Sequence, residues 1–248
     1  MIECIFCGQN NTKGIFQKNG YNLVKCKNDD HIYIDNPPDE ETLLKIYSQQ
    51  YFEGTANVGY RSNVFKNMGS HLKRSKRRVE KVKKFHQKGT ILDVGCGPAY
   101  FLSCLPESFD VYGADISQAA ADFAMEQFNI KIWVGDFLKL PDYKSFFNAV
   151  TMFSQLEHTV NPRKTLEKVN EILKNGGLLL LSLPNINGIP RYVMGKNWRG
   201  FSIPEHLHFF NEKNLGRILE ETGFIMLKSN FSENNFTRDT NYFYAKKR

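Results

Sequence analysis

No apolar run in this 248-residue chain approaches the roughly 18–20 residues needed to span a bilayer. The opening stretch, "MIECIFCGQN", lacks the basic and apolar regions of a secretory signal. Both absences lead to the expectation of a cytoplasmic protein with no membrane span. Cysteines are few and odd in number, five in all, which argues against a disulfide framework and for reduced thiols. Acidic residues are nearly missing from one region. Residues 62–88 hold ten Lys or Arg against the single Glu80, near +9, so of the net charge of +7 the rest of the chain sums to about −2.

The length suffices for one sizeable core and a small extra module, and the chain divides into three zones. In residues 1–37, Cys4-x-x-Cys7 is followed by Cys26 and His31. This is the start of a zinc-ribbon pattern, in which two close thiolates and a second ligand pair surround a tetrahedral Zn²⁺. The second close Cys expected after Cys26 is missing, and Asp29 stands in its place. His31 could supply the fourth ligand, with Asp29 or Asp30 as weaker candidates. A ribbon that has lost its metal and is held by short strands is the other reading.

Residues 38–88 read as a helical cap. Asp39 is placed to cap a helix whose apolar face includes Leu43, Leu44, Ile46 and Tyr47. A second, basic helix carries Val64, Met68, Leu72, Val79, Val82 and Phe85 as a partial inward stripe. Its cations either attract the phosphates of RNA or of a nucleotide-linked substrate, or form a solvated face. No aromatic residues interleave with them to stack bases.

Residues 89–248 alternate strand and helix patterns. "TILDV", "VYGADI", "IKIWVG", "NAVTMF" and "GLLLLSL" are continuous apolar runs separated by helical segments. The expected fold is α/β, an open, doubly wound sheet covered on both faces, with its ligand at the carboxyl ends of the strands. After Pro204, "FIMLKSNF" and "NYFYAKK" could pair antiparallel. In "TILDVGCGPAYFL" the first strand delivers Asp93, and Gly95 and Gly97 permit a sharp turn against which a ligand can lie. Asp115 ends the next strand, where a carboxylate can accept from both hydroxyls of a ribose. The turn lacks G-x-G-x-x-G, so a pyrophosphate cradle is not specified. Asp93 would repel a phosphate and suits an amino group, while Asp136 follows the third strand where an adenine amino group would lie.

These stretches resemble the class I S-adenosylmethionine-dependent methyltransferases. "ILDVGCGPAYFL" is similar to that family's first motif, "VYGADIS" to its ribose-binding acid and "VGDFLKLP" to its adenine-binding segment. The N-terminal "C..C…VKC" region resembles a subgroup with a Cys-rich ribbon, linked to sugar, capsule polysaccharide and other cell-surface tailoring. The resemblance implies a Rossmann-like, mostly parallel seven-stranded sheet binding S-adenosylmethionine and releasing S-adenosylhomocysteine. It implies cofactor contacts from Asp93, Gly95, Cys96 and Gly97, and from Phe153, Ser154 and Gln155 at the fourth strand tip. Asp115 and Ile116 would hold the ribose side, and Asp136 and Phe137 the adenine. Cys96 is expected to serve by being small, since the sulfonium methyl needs no covalent intermediate.

The acceptor must be aligned, and a hydroxyl must lose its proton. The absence of [DNS]-P-P-[YF] after "NAVTMF" argues against an exocyclic amine of a nucleic-acid base. His158 could act as base or cap the next helix. In "WRGFSIPEHLHFF", His206 or His208 could take the proton with Glu205 orienting the ring, His206 being preferred, or both could be packed core histidines. Glu205, His206 and His208 could alternatively bind a divalent metal. Tyr192, Trp198 and Arg199 lie in a candidate lid. The expected activity is O-methylation of a hydroxyl on a small acceptor, a sugar or nucleotide-linked sugar. An RNA methyltransferase using the zinc segment and the basic helix is the alternative.

Overall fold

The computed structural model describes residues 2–47, 49–55, 62–229 and 239–248. The chain begins with strands β1 (Thr12–Lys18), β2 (Tyr21–Cys26) and β3 (Ile32–Ile34). Asn19 and Gly20 close the β1–β2 hairpin with φ angles of 54° and 84°, the left-handed pair that a two-residue turn of this kind requires. Helices α1 (Glu40–Ile46), α2 (Gln49–Glu53) and α3 (Met68–Lys83) follow. Asp39 caps α1 by accepting the Thr42 amide at 2.8 Å. α3 buries Ser75, Val79 and Val82 on one side.

The rest alternates strand and helix: β4 (Gly89–Val94), β5 (Phe109–Asp115), α4 (Gln118–Phe128), β6 (Ile132–Val134), β7 (Phe147–Phe153), α5 (Pro162–Ile172), β8 (Leu173–Pro184), α6 (Ile189–Met194), β9 (His208–Phe209), α7 (Glu212–Glu221), β10 (Phe224–Ser229) and β11 (Thr240–Lys247). Seven strands form one sheet in the order β10-β11-β8-β7-β4-β5-β6. β4 to β8 run parallel, and β11 lies antiparallel between β8 and β10. The doubly wound, mostly parallel seven-stranded sheet is as expected. Leu178, Leu179, Leu180 and Leu181 are all buried, so β8 faces apolar surroundings on both sides and reads as a continuous apolar run. The chain passes from β4 to β5 on one side and later returns to β7 on the other. A crevice therefore opens at the carboxyl ends of β4, β5 and β7.

β9 belongs to the second sheet, of order β1-β2-β3-β9. It pairs antiparallel with β3, setting Tyr33 opposite His208 and Ile32 opposite Phe209. The N-terminal strands are thus completed by the link that follows β8. That link is packed: Trp198, Phe201, Ile203 and Leu207 are buried. No described helix is long and apolar enough to cross a membrane.

Candidate active site

The crevice is built from the turn after β4. Gly95 and Gly97 have φ angles of 71° and 51°, a region other L-residues rarely adopt. At Gly95 a Cβ would run into the side-chain amide of Gln155. Gln155 arrives from the tip of β7, where Ser154 itself has φ 55°. The tips of β4 and β7 are thereby brought together. The Gly97 amide donates to Asp115 Oδ2 at 2.7 Å and the Ser117 amide to Oδ1 at 2.9 Å. Both oxygens keep a further lone pair for a ligand. Burial pushes the Asp115 carboxyl above its ordinary range, and the backbone amides oppose that shift.

Asp93 lies deeper, 3% exposed. Burial pushes its carboxyl up to about 7, against the Thr151 hydroxyl, which donates at 2.6 Å, and the charge of Arg78. Cys96 fits tightly, because a Cβ on Gly113 would come within 2.9 Å of its sulfur. Burial raises its thiol well above the ordinary range, which leaves it a packing residue rather than a nucleophile. Further along, Asp136 Oδ1 accepts the Leu138 amide at 3.0 Å. Ile116, Phe137 and Leu138 line the crevice there.

The crevice continues into a cleft of about 1950 Å³, more than one ligand of ordinary size fills. One wall is α3. Its Arg74, Arg77, Arg78 and Lys81 line the cleft, with Lys84 just past its end. The Arg78 guanidinium lies 4.3 Å over the Phe153 ring, and its buried Nε has no hydrogen-bond partner among the described residues. The basic helix therefore presents much of its charge to the cleft. Arg78 is a site residue that no motif marks.

His158 and His206 also line the cleft. The Gly200 carbonyl lies 2.8 Å from His206 Nδ1. A carbonyl only accepts, so Nδ1 carries the proton and Nε2 keeps the lone pair. Burial pulls the His206 imidazole down to about 4, so the ring is neutral at pH 7. Tyr47, at the end of α1, places its hydroxyl 2.8 Å from His158 Nδ1. Glu205 is buried beside them and accepts from the Ser202 hydroxyl at 3.3 Å. Glu157, 0% exposed, sits beneath both rings. An oxygen of Glu157 and a ring nitrogen of each of His158 and His206 lie within 4.8 Å of one another.

His208 and His31 are elsewhere. Strand pairing at β9 turns His208 inward, where its Nδ1 meets His31 Nε2 at 3.1 Å. Both rings are buried among Tyr33 and Phe210, and burial lowers the basicity of each. His208 is thus a packed core histidine, not a cleft residue, and cannot share a metal with Glu205 and His206. Trp198 and Arg199 line the cleft, whereas Tyr192 is 68% exposed and stands outside its wall.

Near the N-terminus, Cys4, Cys7 and Cys26 cluster with Asp29 rather than His31. The Cys7 and Cys26 sulfurs are 3.6 Å apart, and Asp29 Oδ2 is 4.0 Å from Cys4 and 3.9 Å from Cys26. Ligand atoms at tetrahedral angles and Zn–S lengths of about 2.3 Å are about 3.8 Å apart, so the cluster has the size of a zinc site. Arg217 pairs with the other Asp29 oxygen and points Oδ2 at the thiols. Burial pushes the Cys4 thiol up to about 12. His31 is excluded because its ring is drawn into the aromatic stack with His208.

A family model described as "Methyltransferase domain" matches residues 60–229. An uncharacterized protein of Methanocaldococcus jannaschii is 25% identical over 154 residues, 62% of this chain and 73% of the relative. A ubiquinone biosynthesis O-methyltransferase of Coxiella burnetii is 30% identical over 103 residues, and this stretch spans less than half of that relative (44%) and 39% of this chain. Among solved structures, magnesium protoporphyrin IX methyltransferase from Synechocystis PCC 6803, with bound SAH, aligns with 85% of this chain and 100% of its own, with a TM-score of 0.61 at 16% identity. With more than half of the chain matched, the chain belongs to the methyltransferase-domain family, and its seven-stranded sheet is the class I fold of the S-adenosylmethionine-dependent methyltransferases.

Proposed function

We propose that the chain methylates a hydroxyl on a sugar or nucleotide-linked sugar, as in polysaccharide, capsule or secondary-metabolite tailoring, with His206 as general base. One observation carries this reading: the Gly200 carbonyl holds the proton on Nδ1, so a neutral Nε2 lone pair is available in the cleft wall.

The chain's residues fit the cofactor. Asp93 would take the amino group of its methionine end and Arg78 the carboxylate, beside Gly95, Cys96, Gly97 and the Phe153–Gln155 tip. Asp115 would accept the ribose hydroxyls. Ile116 and Phe137 would serve the adenine, and the second oxygen of Asp136 its amino group. When bound, the cofactor supplies an electrophilic methyl group on a sulfonium. The protein then has to align the acceptor oxygen and take its proton. His206 Nε2 accepts that proton. Tyr47 orients His158 beside it, and Ser202 holds Glu205.

The cationic face of α3 supports an acceptor that carries phosphate. Cys4, Cys7, Cys26 and Asp29 would hold a structural Zn²⁺, and the Arg217–Asp29 ion pair would link that site to α7. The test is methyl transfer from labelled cofactor to a panel of nucleotide sugars, free sugars and total RNA. Transfer to a nucleotide sugar is expected. Transfer to RNA alone, weakening steeply between about 50 and 200 mM salt, would overturn the reading.

A further inference from the structure

Glu157 has no exposed surface, and neither of its carboxylate oxygens has a hydrogen-bond partner among the described residues. A buried carboxylate with no partner is strongly disfavoured and needs either a proton or a nearby cation. Its backbone is fixed, since the Glu157 carbonyl accepts the Leu207 amide at 2.8 Å. One of its carboxylate oxygens lies within 4.8 Å of a ring nitrogen of His206. Glu157 is also two residues from Gln155, which lies on Gly95. Around it are Arg78 from α3, Tyr47 from the end of α1, His158 on its own turn and His206 from the link before β9, and Glu205 of that link shares Tyr47 and His158 as neighbours. Arg78 is the fixed cation in this set; its guanidinium lies over the Phe153 ring and, in the proposed reading, serves the cofactor's carboxylate.

We propose that Glu157 is the buried counter-charge of methyl transfer, matched by the cofactor's sulfonium before the step and by the His206 imidazolium after it. As the O–CH3 bond forms, the C–S bond breaks with its electron pair on sulfur, and the hydroxyl proton passes to His206 Nε2. One positive charge vanishes and another appears across the same carboxylate, so Glu157 stays ionised and compensated throughout. The imidazole is a weak base in its buried setting, and a carboxylate beside it favours the protonated form. Glu157 acts through His206, as a positioning residue. This inference rests on the reading of His206 as base.

Without a cation, burial pushes the Glu157 carboxyl up to about 8, with Arg78 opposing. A sulfonium entering the site should displace that proton, whereas the neutral thioether of the product should not. Calorimetric affinities for S-adenosylmethionine and S-adenosylhomocysteine, measured from pH 6 to 9 without any acceptor, test this. The two ligands share their adenosine and amino acid, so effects of Asp93, Asp115 and Asp136 largely cancel in the ratio. In the wild type the preference for the sulfonium ligand is expected to rise about tenfold over that range, one unit of pKa change. Glu157→Gln should flatten the rise, Glu157→Asp should restore it, and His206→Ala should retain it.

A flat wild-type ratio would overturn the proposal, as would an equal rise in Glu157→Gln. So would a ratio that collapses on chelation and returns with added Mg²⁺ or Mn²⁺, which would make Glu157, His158 and His206 metal ligands. A His206→Ala variant that kept full turnover would remove the base and leave the binding ratio unchanged, so the two failures are distinguishable.

Discussion

The Gly97 amide donates to Asp115 at 2.7 Å, linking the turn after β4 to the tip of β5 across eighteen residues. The glycine turn and the strand-end acid are one device, since the amide that shapes the turn also orients the carboxylate. Asp115→Ala removes the ribose acceptor and the anchor of the turn together. Charge-assisted hydrogen bonds contribute roughly 1.5–3 kcal/mol each, so cofactor affinity should fall by about 100-fold or more. Isothermal titration calorimetry checks this, and wild-type affinity in the variant would refute the assignment.

Gly95→Ala should act from the other side. The new methyl meets Gln155, and φ 71° strains any residue with a Cβ. Cofactor affinity is expected to drop by about tenfold or more, a loss of roughly 1.4 kcal/mol. Adding Gln155→Ala relieves the collision without relieving the backbone strain, so recovery should be partial.

The two histidines of "HLH" should part company in mutagenesis. His206→Ala should lower kcat by about 10²–10⁴-fold, the usual contribution of a general base, with cofactor affinity unchanged. His208→Ala leaves a buried His31 ring without its partner and should cost about 1–3 kcal/mol of stability in urea titrations. Full activity in the His206 variant would move the base elsewhere.

Elemental analysis separates the metal ligands. Purified protein is expected to carry one zinc, lost in Cys4→Ser and much reduced in Asp29→Asn. His31→Ala should retain it, because His31 belongs to the His208 stack. Equal zinc in the wild type and the Cys4 variant would dismiss the site.

Stability of the cofactor-free protein should decline above neutrality. Asp93 and Glu157 have folded-state values raised to about 7 and about 8. Their contribution is therefore complete below the ordinary carboxylate range and is lost as pH rises through 7 and 8. His206 and His208 are lowered to about 4 from 6.5, so theirs is lost as pH falls from 6.5 towards 4. Above pH 6.5 the histidines no longer contribute a slope and the acids dominate. Between pH 6.5 and 8 the loss should be about 2 kcal/mol. Denaturant titrations measure it, and Asp93→Asn or Glu157→Gln should flatten the decline.

The sheet is legible in the sequence because each central strand is buried on both faces and appears as an unbroken apolar run. The glycine turn and the acids Asp93, Asp115 and Asp136 are legible because their strand–turn–helix context is local. The strand β9 is not: two residues show no period, and only pairing with β3 makes them a strand. Arg78 looks like one cation among many on a basic helix, Tyr47 like part of an apolar face, and nothing in "FSQLEH" marks Glu157.

The sequence by itself determined the α/β class, the alternation of apolar strands with helices and the glycine turn after the first strand, since these follow from hydrophobic period, glycine conformation and short-range spacing. Tertiary structure alone decided that Asp29 rather than His31 joins the three thiols, that His206 faces the cleft while His208 does not, and that Glu157 lies unpaired beneath them. Those outcomes depend on contacts between segments up to 188 residues apart, as between Asp29 and Arg217. Such choices are made by packing and desolvation, which no local pattern of residues records.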